Sequence, residues 1–480
     1  MSGGLLGCAR FQAGHGGGHR LSRMVVLTMM GLATGYGPAW AARSGPQGAS
    51  RALTFATALR LSVEKALAIQ EAEGALAQAH GQRLSALAAF LPTLSVSDGE
   101  QLYAPLGPQS STFIAGTLVS TRGRFYDNAA TVSAQWNLFD GGKDVAGFRA
   151  AADSLRSAEK GLESAVNKTL IKVVGAYEAV VADQVRVRLD ARIVSWDRRI
   201  SRLTEKRYRH LIASRLTVLQ ALQQLITAQT TAINDRTQEA EDREALARAI
   251  GIADTDSLRV ADVLPVPANI PTSIRAPRWA PSVISAKAAW RAARENVGVA
   301  EAGYWPTLAV TGQYNWLGLN PGSARTAFAQ TRGSNYTVGL TLSWNLFPLI
   351  NTGGSVESAQ GQALSAEGTY QHAEVVGRRR WRAARSLYQA AKANARAAAQ
   401  AVRWAHETLT LTQARIRGAQ ASTLALAQAE VARLQALTTE RVAILSQTLT
   451  AWKLLRAEAP RRFTSRLFRV ALRSTHEPRS

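Results

Sequence analysis

The residues able to do chemistry are sparse and badly placed for it. The seven histidines, His15, His19, His80, His210, His372, His406 and His476, include no pair at the spacing of a metal site. The single cysteine, Cys8, rules out an intrachain disulfide. The stretch Leu5-Leu6-Gly7-Cys8 lacks the apolar lead-in of a lipoprotein acylation box. Gly141-Gly142 and Gly353-Gly354 stand where helices are expected to begin, a place where backbone N–H groups can cradle phosphate. Neither carries the nucleotide-binding fingerprint: Gly142 is followed by Lys143, but Asp144 stands where that loop has Ser or Thr and Asn137 where it has its first glycine, and no lysine follows Gly354, so both read as strand-to-helix turns. The chain is therefore read as not an enzyme, with no cofactor and no metal.

What polar chemistry there is comes from charge. Arg198, Arg199, Arg202, Lys206, Arg207, Arg209 and Arg215 crowd one stretch against only Asp197 and Glu205. Such a cluster is either a solvated helix end or a docking surface for an acidic partner helix. The net charge of +23 would also suit a nucleic-acid binder. The basic residues, however, lie within amphipathic helical stretches, with no zinc-finger spacing and no strand pair carrying stacking aromatics. No nucleic-acid partner is expected.

The elements that must carry these residues begin after a leader. Arg20 and Arg23 flank an apolar run from Met24 to about Ala33, and Ala39-Trp40-Ala41 offers small residues for signal peptidase, so cleavage is expected after Ala41. No later segment has eighteen consecutive uncharged apolar residues, the length of a transmembrane helix.

The chain is then written twice. Phe90-Leu91-Pro92-Thr93-Leu94-Ser95-Val96 returns as Tyr304-Trp305-Pro306-Thr307-Leu308-Ala309-Val310, and Trp136-Asn137-Leu138-Phe139 returns unchanged as Trp344-Asn345-Leu346-Phe347. The stretch from Arg207 to Ala221 matches that from Arg415 to Ala429, with Gln220 falling on Gln428. Three matches in the same order make an internal duplication. Residues 42–253 and 281–458 are the two repeats, each a helix, a strand hairpin (94–139 and 307–347) and a long helical hairpin. The first opening helix is expected from Thr54 to Ala89. Pro265, Pro267, Pro271 and Pro277 make 254–280 a linker, and the basic tail, 459–480, is expected to leave the wall.

The strands alternate. Val132, Trp136 and Leu138 share one face, as do Val310, Tyr314 and Trp316, and Leu340, Leu342 and Trp344; serine, threonine, glutamine and asparagine fill the other. Ten-residue strands with an apolar, aromatic-edged face suit a membrane β-barrel, with these nine residues in lipid. Four strands cannot close a barrel, so copies must combine. The helix from Lys143 to about Lys206 would be about 95 Å long, too long for a globular core. The fold class is mainly α with a transmembrane β-barrel portion.

The leader, the two halves and Trp136 to Gly142 (Trp-Asn-Leu-Phe-Asp-Gly-Gly) resemble the TolC-like outer-membrane efflux proteins over residues 52–458. The resemblance implies a homotrimer in outer-membrane lipid, with a twelve-stranded barrel and a twelve-helix periplasmic tunnel. It implies a periplasmic adaptor and an inner-membrane transporter as partners, the adaptor meeting Arg202, Lys206, Arg207, Arg209, Arg215, Arg415 and Arg417. It leans toward the type I secretion branch, which pairs with an ABC exporter and exports a toxin, with small-molecule efflux beside it. A periplasmic coiled-coil scaffold is the alternative that does not cross lipid. The family's entrance positions fall on Thr217, Gln220, Ile416, Ala421, Ala425 and Gln428, and the acidic pair usual in the second half is here Ala425 and Gln428. The expected outcome is a pore without a sharp block by trivalent cations added from the helical side in planar bilayers. Strong block would require an acidic ring elsewhere.

Overall fold

The computed structural model describes residues 53–103, 110–114, 117–121, 125–253, 258–261, 264–267, 280–320, 331–345, 349–417, 423–458 and 460–474. The leader with its cleavage site, Cys8 and Ala421 lie outside the described residues. Eight helices are described: α1 Phe55–Lys65, α2 Leu67–Ala88, α3 Lys143–Arg209, α4 Arg215–Ile250, α5 Pro281–Glu301, α6 Leu349–Arg417, α7 Thr423–Glu458 and α8 Pro460–Ser474. The strands are β1 Thr93–Tyr103, β2 Ser110–Ile114, β3 Thr117–Thr121, β4 Phe125–Phe139, β5 Thr307–Asn320 and β6 Thr331–Ser343.

Strands β1, β4, β5 and β6 form one antiparallel sheet in that order. Its register stacks like with like. Val96, Val132, Tyr314 and Tyr336 stand opposite one another, as do Trp136, Val310 and Leu340. On the other face Ser95 meets Ser133 through their hydroxyls (2.7 Å). Thr131 donates to Asn315 (2.8 Å), which donates on to Asn335 (2.9 Å), a polar ladder across three strands. The apolar face ends where Asn128 donates to Asp98 (3.0 Å). From Leu308 to Trp316 it covers about 27 Å of strand, or about 20 Å of bilayer at the usual tilt.

The duplication reappears as a duplicated hydrogen bond. The Trp136 indole donates to the Phe90 carbonyl (3.1 Å), and the Trp344 indole to the Tyr304 carbonyl (3.3 Å). Each repeated tryptophan thus pins the entry to its own hairpin beside the repeated Pro-Thr-Leu. Asp140 explains the rest of the first motif. Its carboxylate accepts from the amides of Gly142 (3.1 Å) and Asp144 (2.8 Å), seating the start of α3. Gly141 has φ +71°, and a Cβ there would meet the Ala302 carbonyl at 2.7 Å, so only glycine fits the turn. The second pair differs from the expectation: Gly353 and Gly354 lie inside α6. In the sequence Pro348 stands where the first repeat has Asp140, and α6 already begins at Leu349.

The long helices α3 and α6 hold 67 and 69 residues, about 100 Å each. They pack as layers of four. Below the middle of α3 the order is α4, α3, α7, α6; toward the sheet it is α2, α3, α5, α6. Where the layers meet, a belt closes around α3. Leu170, Val173, Val174, Tyr177, Val180 and Val181 pack against Phe55 and Leu59 of α1, Leu246 and Ile250 of α4, Trp452 and Leu455 of α7, and Leu258, Val260 and Leu264 of the linker. Tyr177 donates to the Ala261 carbonyl (2.8 Å), and the Trp452 indole to that of Pro265 (3.1 Å).

Two expectations change in the belt and beside it. The first opening helix is broken at Ala66, which is extended, so that α1 enters the belt while α2 lies along α3. Between β1 and β4 the chain also forms the two-stranded ribbon β2–β3. The tail does not leave the wall: α8 buries Phe463 and Leu467 completely in the belt. The Pro460 carbonyl accepts from Asn167 (3.2 Å), and Thr464 donates back to Asn167 (2.9 Å). Phe463 and Leu467, one helical turn apart, form the apolar stripe that the surrounding arginines obscure in the sequence.

Charge on the apolar face of the sheet is expected to block assembly. Trp136→Asp and Leu342→Asp, each costing on the order of 2 kcal/mol in hydrocarbon, should leave no assembled protein in outer membranes, whereas Ser343→Asp on the polar face should assemble. Equal yield of all three by membrane fractionation would show that this face does not meet lipid.

Candidate functional site

The helical layer has two faces, and the belt occupies one. On α3 the belt takes Leu170, Val173, Val174 and Tyr177. Lys172 and Gly175, and further along Arg186, Asp190, Ile193 and Asp197, point to the other side at 100° per residue, with Ile171 between the two. That second face carries three grooves. One of about 590 Å³ runs between α3, α4 and α7; the next, about 820 Å³, lies between α6 and α7 and shares Arg186, Thr438 and Thr439 with the first. The third, about 470 Å³, continues from it through Leu387 and Thr450. Together they trace one continuous path from near the α3–α4 turn to the height of the belt.

The first groove holds the least expected chemistry. Asp183, Asp190 and Asp197 recur every seven residues on α3 and are all buried, at 1, 8 and 2% exposure. From the antiparallel α4, Asp242 meets Asp183 and Asp235 meets Asp190, each pair close enough to share a proton. Burial first, and then the facing carboxyl, push Asp183 and Asp190 up to about 6, while Arg186 pulls both back. Asp197 is raised by burial, and its Oδ1 has no hydrogen-bond partner. A seven-residue aspartate spacing at helix-pair seam positions was the available signal; it was hidden because apolar residues alone are looked for there. The acids lie deep in the seam and do not form an exposed ring. Among the described residues no three metal-binding side chains converge.

The entrance residues named from the sequence fall at the end of this face. Thr217 belongs to the cap of α4, its amide donating to Ser214 Oγ (3.3 Å). Gln220 is exposed and lines the first groove; Gln428 is exposed on α7 and does not line it, Gln435 standing there instead. Ile416 and Ala425 are half-buried. Of the basic residues, Arg202, Lys206, Arg209, Arg215, Arg415 and Arg417 are exposed and Arg207 is half-buried. Arg209 pairs with Glu205 (3.4 Å), and Arg215 sits over the Tyr208 ring. The turn between α3 and α4 holds a feature no spacing announced. Leu211 is left-handed (φ +59°) and 93% exposed, beside Ile212 at 66%. Its amide donates to Tyr208 and that of Ile212 to Arg207, a helix-ending pattern that normally employs glycine.

Of the strand residues, Trp136, Leu138, Tyr314, Trp316, Leu340, Leu342 and Trp344 are exposed in the single chain, and Val132 and Val310 half-buried. An apolar, aromatic-edged sheet of four strands standing on helices about 100 Å long defines the class: a subunit of an outer-membrane channel with a periplasmic extension. The comparisons agree. Residues 58–252 and 276–457 match the outer membrane efflux protein family, so the chain belongs to that family. It is an outer-membrane protein, a channel component and not an enzyme. The outer membrane protein VceC of Vibrio cholerae is similar in structure at 18% identity and a TM-score of 0.69, over 84% of this chain and 95% of that one. The CmeC outer membrane channel of Campylobacter jejuni follows at 15% and 0.68, over 91% and 94%. The MtrE outer membrane channel of Neisseria gonorrhoeae follows at 16% and 0.64, over 84% and 88%. A sequence comparison with curated proteins gives no match.

The aspartate seam sets a pH dependence. A carboxyl whose folded pKa is raised stabilises fully below its ordinary range, and that contribution is lost as pH rises through about 6. The purified protein should melt lower at pH 7.5 than at pH 5. Asp190→Asn should remove part of that fall and raise the pH 7.5 Tm by a few degrees. A wild-type Tm that does not drop over this range would show that the seam does not titrate there.

Proposed function

We propose that three copies of this chain close into one passive export duct: a barrel through the outer membrane continued by a helical tunnel across the periplasm. The open edges carry the reading. The sheet ends at β1 and β6, and the helical layers end at α6 on one side and at α2 or α4 on the other. In hydrocarbon an unpaired strand edge leaves backbone groups unsatisfied at several kcal/mol each, so β6 of one copy must meet β1 of the next. Two copies would give eight strands, a barrel whose interior side chains fill it. Three give twelve and leave a passage lined by the Ser95–Ser133 and Thr131–Asn315–Asn335 face.

In this duct the end of the helical tunnel is the entrance. Thr217, Gln220, Ile416, Ala425 and Gln428, with Ala421, stand for its constriction, where amide groups hold neighbouring helices without fixed charge. The exposed arginines with Leu211 and Ile212 form the docking surface for a periplasmic adaptor, which connects the duct to an inner-membrane transporter. Export of a protein toxin through an ABC exporter, as in type I secretion, is the finer proposal, and it rests on the family resemblance alone.

Fractionation and sedimentation in detergent test the assembly. The protein should sediment as a trimer from outer membranes and run as a heat-modifiable oligomer on gels. A dimer, or protein recovered only from the soluble periplasm, would overturn the duct.

A further inference from the structure

The third groove differs in charge from the first. Lys172 of α3, Arg380 of α6, and Lys453 and Arg456 of α7 converge on a space of about 470 Å³ whose lining holds no carboxylate. None of the four is in an ion pair among the described residues. The carboxyl that acts on Lys453 is Glu178, raised by burial and drawn back by Lys453 and Arg186; it does not line the groove. Arg456 is half-buried, and burial together with the nearby Arg380 disfavours its charge. Four like-charged groups with only Glu178, behind the lining, acting on one of them are a cost that a bound anion lowers.

Position gives the recess a role. Apart from Ile171, which also packs in the belt, it is lined from the side of the layer that, among the described residues, α1, the linker and α8 leave uncovered. Three copies would set twelve cationic side chains at one height of the bore, above a lower stretch holding the buried aspartates. We infer that this height is a binding ring for polyvalent anionic solutes in transit, recognising their phosphate, sulfate or carboxylate groups. The inference rests on the duct reading for its place in the bore, but the recess exists within one chain.

The test uses the full-length protein in planar bilayers with inorganic tripolyphosphate added from the helical side. Wild type should favour anions in reversal-potential measurements and be blocked by tripolyphosphate. Lys172→Gln with Arg380→Gln, both exposed positions, should raise the half-blocking concentration about tenfold and shift selectivity toward cations. Arg60→Gln, an exposed belt residue whose partner is Glu64, should change neither. Block that is absent in wild type, or unchanged in the double variant, overturns the ring. If the protein forms no pore, the duct reading fails. Calorimetric binding of tripolyphosphate to the solubilised protein then decides the anion site: loss of binding in the double variant supports it, and equal or no binding overturns it.

Discussion

In a lipid bilayer a backbone N–H or C=O has no water to turn to, and this constraint organises the molecule. The four-stranded sheet pairs its inner strands β4 and β5 on both sides but leaves β1 and β6 each with one unpaired edge. No side chain can repair that, because the missing partners are backbone groups spaced along a whole strand. Closure between copies follows, and the helical layers below inherit the same requirement. Those layers end at α6 on one side and at α2 or α4 on the other, α2 leading into the edge strand β1 and α6 following the edge strand β6.

The belt is what makes such long helices usable. An isolated helix of 67 residues gains little from its own hydrogen bonds and bends easily. Here the middle of α3 is clamped by segments from the start of the described chain, the linker and α8. Gly251, left-handed at φ +85° and packed so that a Cβ would strike the Lys65 carbonyl at 2.5 Å, lets α4 end against α1 inside that clamp. The α3–α4 turn, by contrast, carries a strained, exposed Leu211.

Charge is sorted along the inner face. The neutral strand face gives way to cationic Lys172, Arg380, Lys453 and Arg456 at belt height, then to the alanine-rich middle groove, then to paired aspartates. Arg186 stands at the junction of the last two and neutralises part of the acid seam. Burial and the facing carboxyls hold Asp183 and Asp190 above the usual carboxylate range, so the seam carries less negative charge than its composition suggests.

The sequence by itself determined the duplication, the alternation of the strands, the length of the helices and the poverty of catalytic groups. Each of these is written in neighbouring residues: period two for a half-buried strand, seven for a helix seam, a repeated tryptophan for a repeated corner. The faces of Trp136, Tyr314 and Leu342 were legible for that reason. The tertiary structure alone decided that α8 returns to the wall, because Phe463 and Leu467 find their partners nearly 300 residues earlier, beside Asn167. It alone paired Asp190 with Asp235 and gathered Lys172 with Arg380, since a buried carboxyl and a convergent cation look like ordinary surface charges until the helix across the seam is known. Local periodicity fixes which face a residue takes; only packing against distant segments fixes what that face meets.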